Sequence, residues 1–223
     1  MALQHSPSVV TSGLVLCLDA ANSRSYPGSG TVWTDVSGNG NTGTLTNGPT
    51  YNSTNLGSIV FDGVDDKVIT TLSPLYNSTT WEAWVYCTAN VSSYNMFMGD
   101  WLPYFGFYGG NSLYFSNIMG GAQQTIQTTS DLSLNTWYQA VFTTAFNGTN
   151  TTASIYTNSI LTASNLQTGA QGGPGGTFTV GDGNNSTWYP FQGKVSGVKI
   201  YNRALSAAEV TQNFNALRGR YGI

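Results

Sequence analysis

"GKVSGVKIYNRALSAAEV", residues 193–210, holds the signatures of both kinds of regular structure within a few turns of chain. Val195, Val198 and Ile200 alternate with polar neighbours, the period of a half-buried strand, with a break at Gly197. Ser206 and Glu209 then form an S-x-x-E pair, in which each side chain satisfies the orphan backbone N–H of the other residue. Leu205 and Val210 flank the cap as a hydrophobic staple, and Val210, Phe214 and Leu217 recur on one helical face. Gly219 stands where a stop is expected. The stretch predicts a strand running straight into a short amphipathic helix over residues 206–218.

Upstream, the pattern is of strands alone. "GLVLCLDA" (13–20) reads as a strand, and residues 21–33 as a loop closing on Trp33. "GSIVFDGVDDKVITT" (57–71) reads as strand, reversal and strand. "STTWEAWVYCTA" is dense in aromatic and β-branched residues. "NMFMGDWLPYFGFYGGNSLYFSN" reads as two or three strands broken by Gly and Pro, and a hairpin turns at "NGTN". Many short strands, one terminal helix and no βαβ alternation predict an all-β, antiparallel jelly-roll sandwich of two sheets. Residues 1–12 read as an N-terminal arm and 13–223 as one domain.

Composition narrows the function classes. Of the 223 residues only 8% are charged, against the ~25% of an ordinary soluble domain, so the surface must be built of Ser, Thr, Asn, Gln and Gly. Net charge is −3 and the basic residues are scattered singly, which excludes phosphate neutralisation and hence nucleic acid as a partner. No apolar run approaches the ~20 residues of a membrane span. The opening "MALQHSPSVVTSG" carries no secretory signal, and its Met reads as that of a complete chain. Cys17 and Cys87 read as buried free thiols, with a single disulfide as the alternative.

At this point the ordered series "GLVLCLDAANSRSYPGSGTVWTDVSGNGNTGTL", "IVFDGVDDKV", "WEAWVY", "LNTWYQAVFT", "SIYTNSIL", "TVGDG" and the closing stretch resembles the laminin-G-like, concanavalin A-like lectin/glucanase superfamily over about residues 13–217. The resemblance implies two antiparallel sheets in a jelly roll, one of them concave, with the last strand returning beside the first. The first 35 residues are similar to the start of structural proteins on tailed-bacteriophage particles. That likeness implies a virion surface protein (a capsid decoration, a fibre or an appendage) made in the host cytoplasm. Its partners would be other capsid or tail proteins, further copies of itself, and host glycans.

Four residue groups are candidates for chemistry. In "TDVSGNGNTGTL" (34–45), Asp35, Asn39 and Asn41, with Asp19 from the first strand, offer oxygen ligands for a structural Ca²⁺. The same loop also reads as a plain tight turn in which Asp35 bonds its own backbone. Family members often hold such a calcium, so the resemblance implies one here. Asp62, Asp65 and Asp66 are a second acidic group, read chiefly as turn residues.

A glycoside hydrolase needs two carboxylates across a cleft, and the superfamily's glucanases carry them closely spaced on one strand. Of the two glutamates, Glu209 belongs to the helix cap and Glu82 has no acid two residues away. His5 is the only histidine and sits in the arm. These residues predict a protein that is not an enzyme. For carbohydrate binding, aromatic faces must lie beside amides and carboxylates. Trp101, Tyr104 and Tyr108 in one loop region, and Asp182, Asn184, Trp188 and Tyr189 in another, offer that mixture. Trp33, Trp84 and Trp137 read as core. The expected function is a non-enzymatic virion surface protein serving assembly or adhesion, with a free lectin module as the alternative.

Overall fold

A computed structural model describes residues 7–73, 75, 77–89, 94–99, 102–172, 176–183 and 189–223. In chain order the strands are β1 (Leu14–Asp19), β2 (Val32–Trp33), β3 (Gly43–Thr46), β4 (Thr50–Asn52), β5 (Ser58–Asp62) and β6 (Lys67–Thr70). Then come β7 (Thr79–Cys87), β8 (Tyr94–Gly99), β9 (Tyr104–Tyr108), β10 (Ser112–Met119), β11 (Ala122–Gln127) and β12 (Trp137–Phe146). The last are β13 (Asn150–Thr157), β14 (Ile160–Thr168), β15 (Gln171–Gly172), β16 (Thr179–Val180) and β17 (Gln192–Tyr201), followed by α1 (Ala207–Leu217).

They form two antiparallel sheets. The first runs β14-β13-β12-β7-β17, and beyond β17 the edge is shared end to end by β1 and β5, with β4 outside β5. The second runs β11-β10-β9-β8-β16-β6-β3-β2, with β15 joined to β10. The last strand therefore lies beside the first, Leu18 opposite Val198. The break read at Gly197 is a register shift between Val195 and Gly197 on β7. The structure corrects one reading of the sequence: "DGVDD" is not the tip of a hairpin. β5 pairs with β17 and β4, whereas β6 pairs with β16 and β3, so the turn carries the chain from one sheet to the other. Asp62 Oδ1 accepts from the Val64 N–H, and Asp66 Oδ2 accepts from the Asp62 N–H, which closes the turn on itself.

The core lies between the sheets. Trp33, Phe61, Trp81, Phe97, Phe105, Phe107, Phe115 and Phe142 are buried there with Leu16, Leu18 and Ile200. At ~1.5–3 kcal/mol for each fully buried large side chain, this layer is the main force for folding. Cys17 and Cys87 are both free and buried, and burial pushes each thiol up to about 11.

The outer face of the first sheet is covered. The capping box forms as read, with Ser206 Oγ accepting from the Glu209 N–H and the Glu209 carboxylate accepting from the Ser206 N–H. The end differs from the reading. Gly219 is not a left-handed stop; α1 tightens into a 3-10 turn over Arg218–Arg220, and the glycine with positive φ is Gly222. Phe214 and Tyr221 stack on Trp84, and Val210 packs with Val141, Tyr201 and Val10. Val10 is part of the arm, which for residues 8–12 is strapped down by the chain itself. Asn213 Oδ1 accepts from the Val10 N–H, Tyr201 donates to the Val10 carbonyl, Gln212 donates to the Ser8 carbonyl, and Arg203 donates to the Ser12 carbonyl.

Beneath that strap is a buried ionic network. Glu82 is fully buried; its Oε1 accepts from Lys199 Nζ at 3.1 Å and Gln139 Nε2 at 3.2 Å, and its Oε2 accepts from Asn213 Nδ2 at 2.6 Å. Burial alone would push the Lys199 ammonium down, but the Glu82 carboxylate beside it holds it above the usual lysine range.

Candidate functional site

The outer face of the second sheet is unlike that of the first. In β8, β9 and β10 aromatic side chains occupy both faces. Phe97, Phe105, Phe107 and Phe115 point into the sandwich, while Tyr94, Tyr104, Tyr108 and Tyr114 alternate with them and point out. The choice of ring follows the solvent: a face that meets water needs a hydroxyl on its aromatics, and a dry one does not. Gly106 sits between Tyr104 and Tyr108 where β8 and β9 approach closely; a Cβ there would stand 2.4 Å from Met96 Cα. Without that side chain the rings can close over the strand.

The five rings are contiguous. Tyr94 is the hub, with centroids 4.6 Å from Tyr108, 4.7 Å from Tyr189, 5.9 Å from Tyr114 and 6.2 Å from Tyr104. Tyr104 and Tyr114 are buried and form the floor with Met96; Tyr94, Tyr108 and Tyr189 are half-buried and present ring surface. Beside Tyr104 and Tyr114 on the same face lies the buried Ser116, whose Oγ accepts from Gln123 Nε2 at 2.8 Å. Burial pushes the Tyr94 phenol up to about 12 and raises Tyr104 and Tyr114 as well, so these three phenols stay uncharged at ordinary pH. Chemically it is a row of flat apolar surfaces edged with hydroxyls and amides. It can stack C–H faces and exchange hydrogen bonds, and among the described residues it offers no nucleophile–base pair.

The two sequence regions chosen for carbohydrate binding meet here. Tyr104 and Tyr189 lie 5.5 Å apart, and Tyr108 adjoins both through Tyr94. Asp182 is buried in the segment after β16, its carbonyl accepting from Thr179 Oγ1. Trp101, Asn184, Trp188 and Asp100 lie outside the described residues. Sequence reasoning missed Tyr94 and Tyr114. Their signal was the period of two in Tyr94-x-Met96, Tyr104-x-Gly106-x-Tyr108 and Ser112-x-Tyr114-x-Ser116.

The calcium residues are placed differently. Asp35 is a staple for its own loop: Oδ1 accepts from the N–H groups of Cys17 and Ser37, and Oδ2 from the Asn41 N–H and the Ser37 hydroxyl. Asn39 and Asn41 turn their amide nitrogens to the carbonyls of Leu14 and Val15. Asp19 forms a two-point ion pair with Arg220. With both carboxylates engaged by donors and two carbonyls already bonded, these four residues do not fit a calcium cage in this arrangement. Carboxylate oxygens of Asp62, Asp65 and Asp66 do come within 4.8 Å of one another, and burial pushes the Asp66 carboxyl up to about 6. Glu82, the acid weighed for catalysis, is on the other sheet and locked beneath the helix. Trp33, Trp84 and Trp137 are buried.

Two stacked antiparallel sheets with one terminal helix define a lectin-like class of β-sandwich, and the comparisons agree. Residues 61–211 match the family model described as the concanavalin A-like lectin/glucanases superfamily, and the chain belongs to that family. No curated protein matches. Among solved structures, domain 4 of AbnA, a GH43 extracellular arabinanase from Geobacillus stearothermophilus in complex with arabinotriose, superposes with TM-score 0.68 at 17% identity, covering 91% of this chain and 98% of that one. The binding domain of Paraclostridial Mosquitocidal Protein 1 gives 0.70 at 16%, covering 92% and 52%. Trypanosoma rangeli sialidase in complex with the inhibitor DANA gives 0.63 at 16%, covering 95% and 35%. The chain thus spans about half of that toxin domain and about a third of the sialidase. At these identities the likeness is one of fold.

Proposed function

We propose that the chain is a non-enzymatic surface protein of a bacteriophage particle, and that its tyrosine face holds glycans. The observation that carries the binding half is the asymmetry of the sandwich. One outer face is closed by α1 and the arm, while the other bears three half-buried rings from Tyr94, Tyr108 and Tyr189 over a hydrogen-bonded floor. Rings of this kind stack the C–H faces of sugars, and surrounding hydroxyls take up sugar hydroxyls. Family membership supports the reading, as does the arabinanase domain of the same fold seen with arabinotriose. The particle half rests on the likeness of the first 35 residues to phage structural proteins and on the sparse charge, which lets copies pack closely. Catalysis is left out because Glu82 is sealed and Glu209 is bound to Arg203.

A glycan array with the purified chain tests the binding half. Binding should appear, and Tyr94→Ala should weaken it at least about fivefold, since stacking on one ring is worth roughly 1–3 kcal/mol by analogy with bases on aromatics. Silence on the array, or an unaffected Tyr94→Ala, rejects the site. Mass spectrometry of purified particles tests the other half: the chain should copurify in fixed stoichiometry. Its absence leaves a free lectin as the reading.

A further inference from the structure

We infer that the tyrosine face takes uncharged oligosaccharides and rejects those bearing sialic or uronic acids. The inference deepens the proposal above and rests on the face binding glycans. The chain has seven Lys and Arg residues, and all seven lie among the described residues. Residues 90–93, 100–101 and 184–188, of sequence NVSS, DW and NNSTW, include no lysine or arginine.

Each of the seven has its own place. Lys199 is buried against Glu82, Arg203 binds Glu209, and Arg220 binds Asp19. Lys194 lies over the Tyr86 ring and Arg218 over Phe214, both on the first sheet's side of the molecule. Arg24 is in the loop leaving β1. Only Lys67 belongs to the second sheet, on β6, two strands from β8 across β16. At ~4.8 Å per strand that puts it about 10 Å to the side of the hub strand before any offset along the chain.

What borders the face is acidic instead. Asp131 accepts from Ser112 Oγ at 2.8 Å, and Ser112 is the register partner of Tyr108. A sugar carboxylate laid on these rings would lose water, gain no cation, and sit beside the like charge of Asp131. A neutral pyranose loses nothing comparable: it stacks on the half-buried rings of Tyr94, Tyr108 and Tyr189 and exchanges hydrogen bonds with their hydroxyls.

Matched pairs test this with the full chain: lactose against sialyllactose, and xylo-oligosaccharides against their glucuronic-acid-substituted forms, by calorimetry. The neutral member of a bound pair should be at least tenfold tighter, with Tyr94→Ala removing it and added salt leaving it unchanged. Asp131→Arg, at the exposed position beside Ser112 and Tyr108, should narrow that gap at least threefold by replacing the carboxylate with the missing cation. Acidic members binding as tightly as neutral ones overturn the inference while leaving the site intact. No binding by any neutral glycan, array included, overturns both.

Discussion

Replacing Glu82 with alanine is the sharpest probe of how this molecule is held together. The side chain is fully buried and anchors Lys199, Gln139 and Asn213 at 3.1, 3.2 and 2.6 Å. Its removal strands an ammonium that is almost as deeply buried, with a side-chain exposure of 6%. Breaking a buried pair from one side costs about 3–5 kcal/mol. For a domain of this length each kcal/mol shifts Tm by roughly 2–4 °C, so the single variant should melt about 6–20 °C below the wild type. Removing both charges is a different perturbation. A Glu82→Met, Lys199→Met double variant leaves no orphan ion, and only Asn213 and Gln139 lose an acceptor, at ~1 kcal/mol each. The double variant should therefore recover much of the loss, with a coupling of at least ~2 kcal/mol. Denaturant titration followed by tryptophan fluorescence reads all the quantities. A single variant within ~1 kcal/mol of wild type, or a double variant as unstable as the single, would refute the argument that the pair is desolvated and mutually dependent.

Other outcomes follow from named contacts. Asn213→Ala leaves the buried Val10 N–H without its acceptor and should cost about 1–3 kcal/mol, with residues 8–12 becoming cleavable by protease first. Ser206→Ala removes the helix cap and should cost about 1 kcal/mol in thermal melts. Burial raises the Asp66 carboxyl to about 6, above its ordinary value of 3.8, so the folded state holds that proton more tightly than the unfolded one. Its contribution to stability is complete below pH ~4 and is lost as pH rises through about 6; Asp66→Asn should flatten that part of the Tm profile. Asp35→Ala should lower Tm equally with calcium and with chelator, because its four acceptor roles are filled by the protein. A calcium-dependent rise in wild type that vanishes in the variant would restore a metal to that loop.

The ends of the chain were legible where local rules act alone. The capping box at Ser206 and Glu209 needs nothing but spacing, and the break at Gly197 became a register shift because a strand period that slips must bulge. The 62–66 turn was not legible as a crossing. Its residues specify a reversal, but which sheet the next strand joins depends on partners far away, β17 for one side and β16 for the other. The tyrosine face was half legible. Tyr104, Tyr108 and Tyr189 stood out beside the Trp, Asp and Asn residues of their stretches, whereas Tyr94 and Tyr114 were not singled out. Only the strand order β10-β9-β8 brings the four strand tyrosines onto one surface. The Asp35 loop shows the opposite limit: oxygen-rich composition fits a cation or a self-bonded turn equally well, and only the direction of the N–H groups decides.

The strap across α1 also gives the molecule a front and a back. Ser8 is bonded to Gln212, so the incoming and outgoing ends of the described chain emerge together on the helical side of the sandwich. A support, fusion partner or neighbouring subunit joined at the C-terminus grips the helical side, and the aromatic side is left facing outward into the medium. Immobilising the protein by its C-terminus is thus the orientation in which its rings stay accessible.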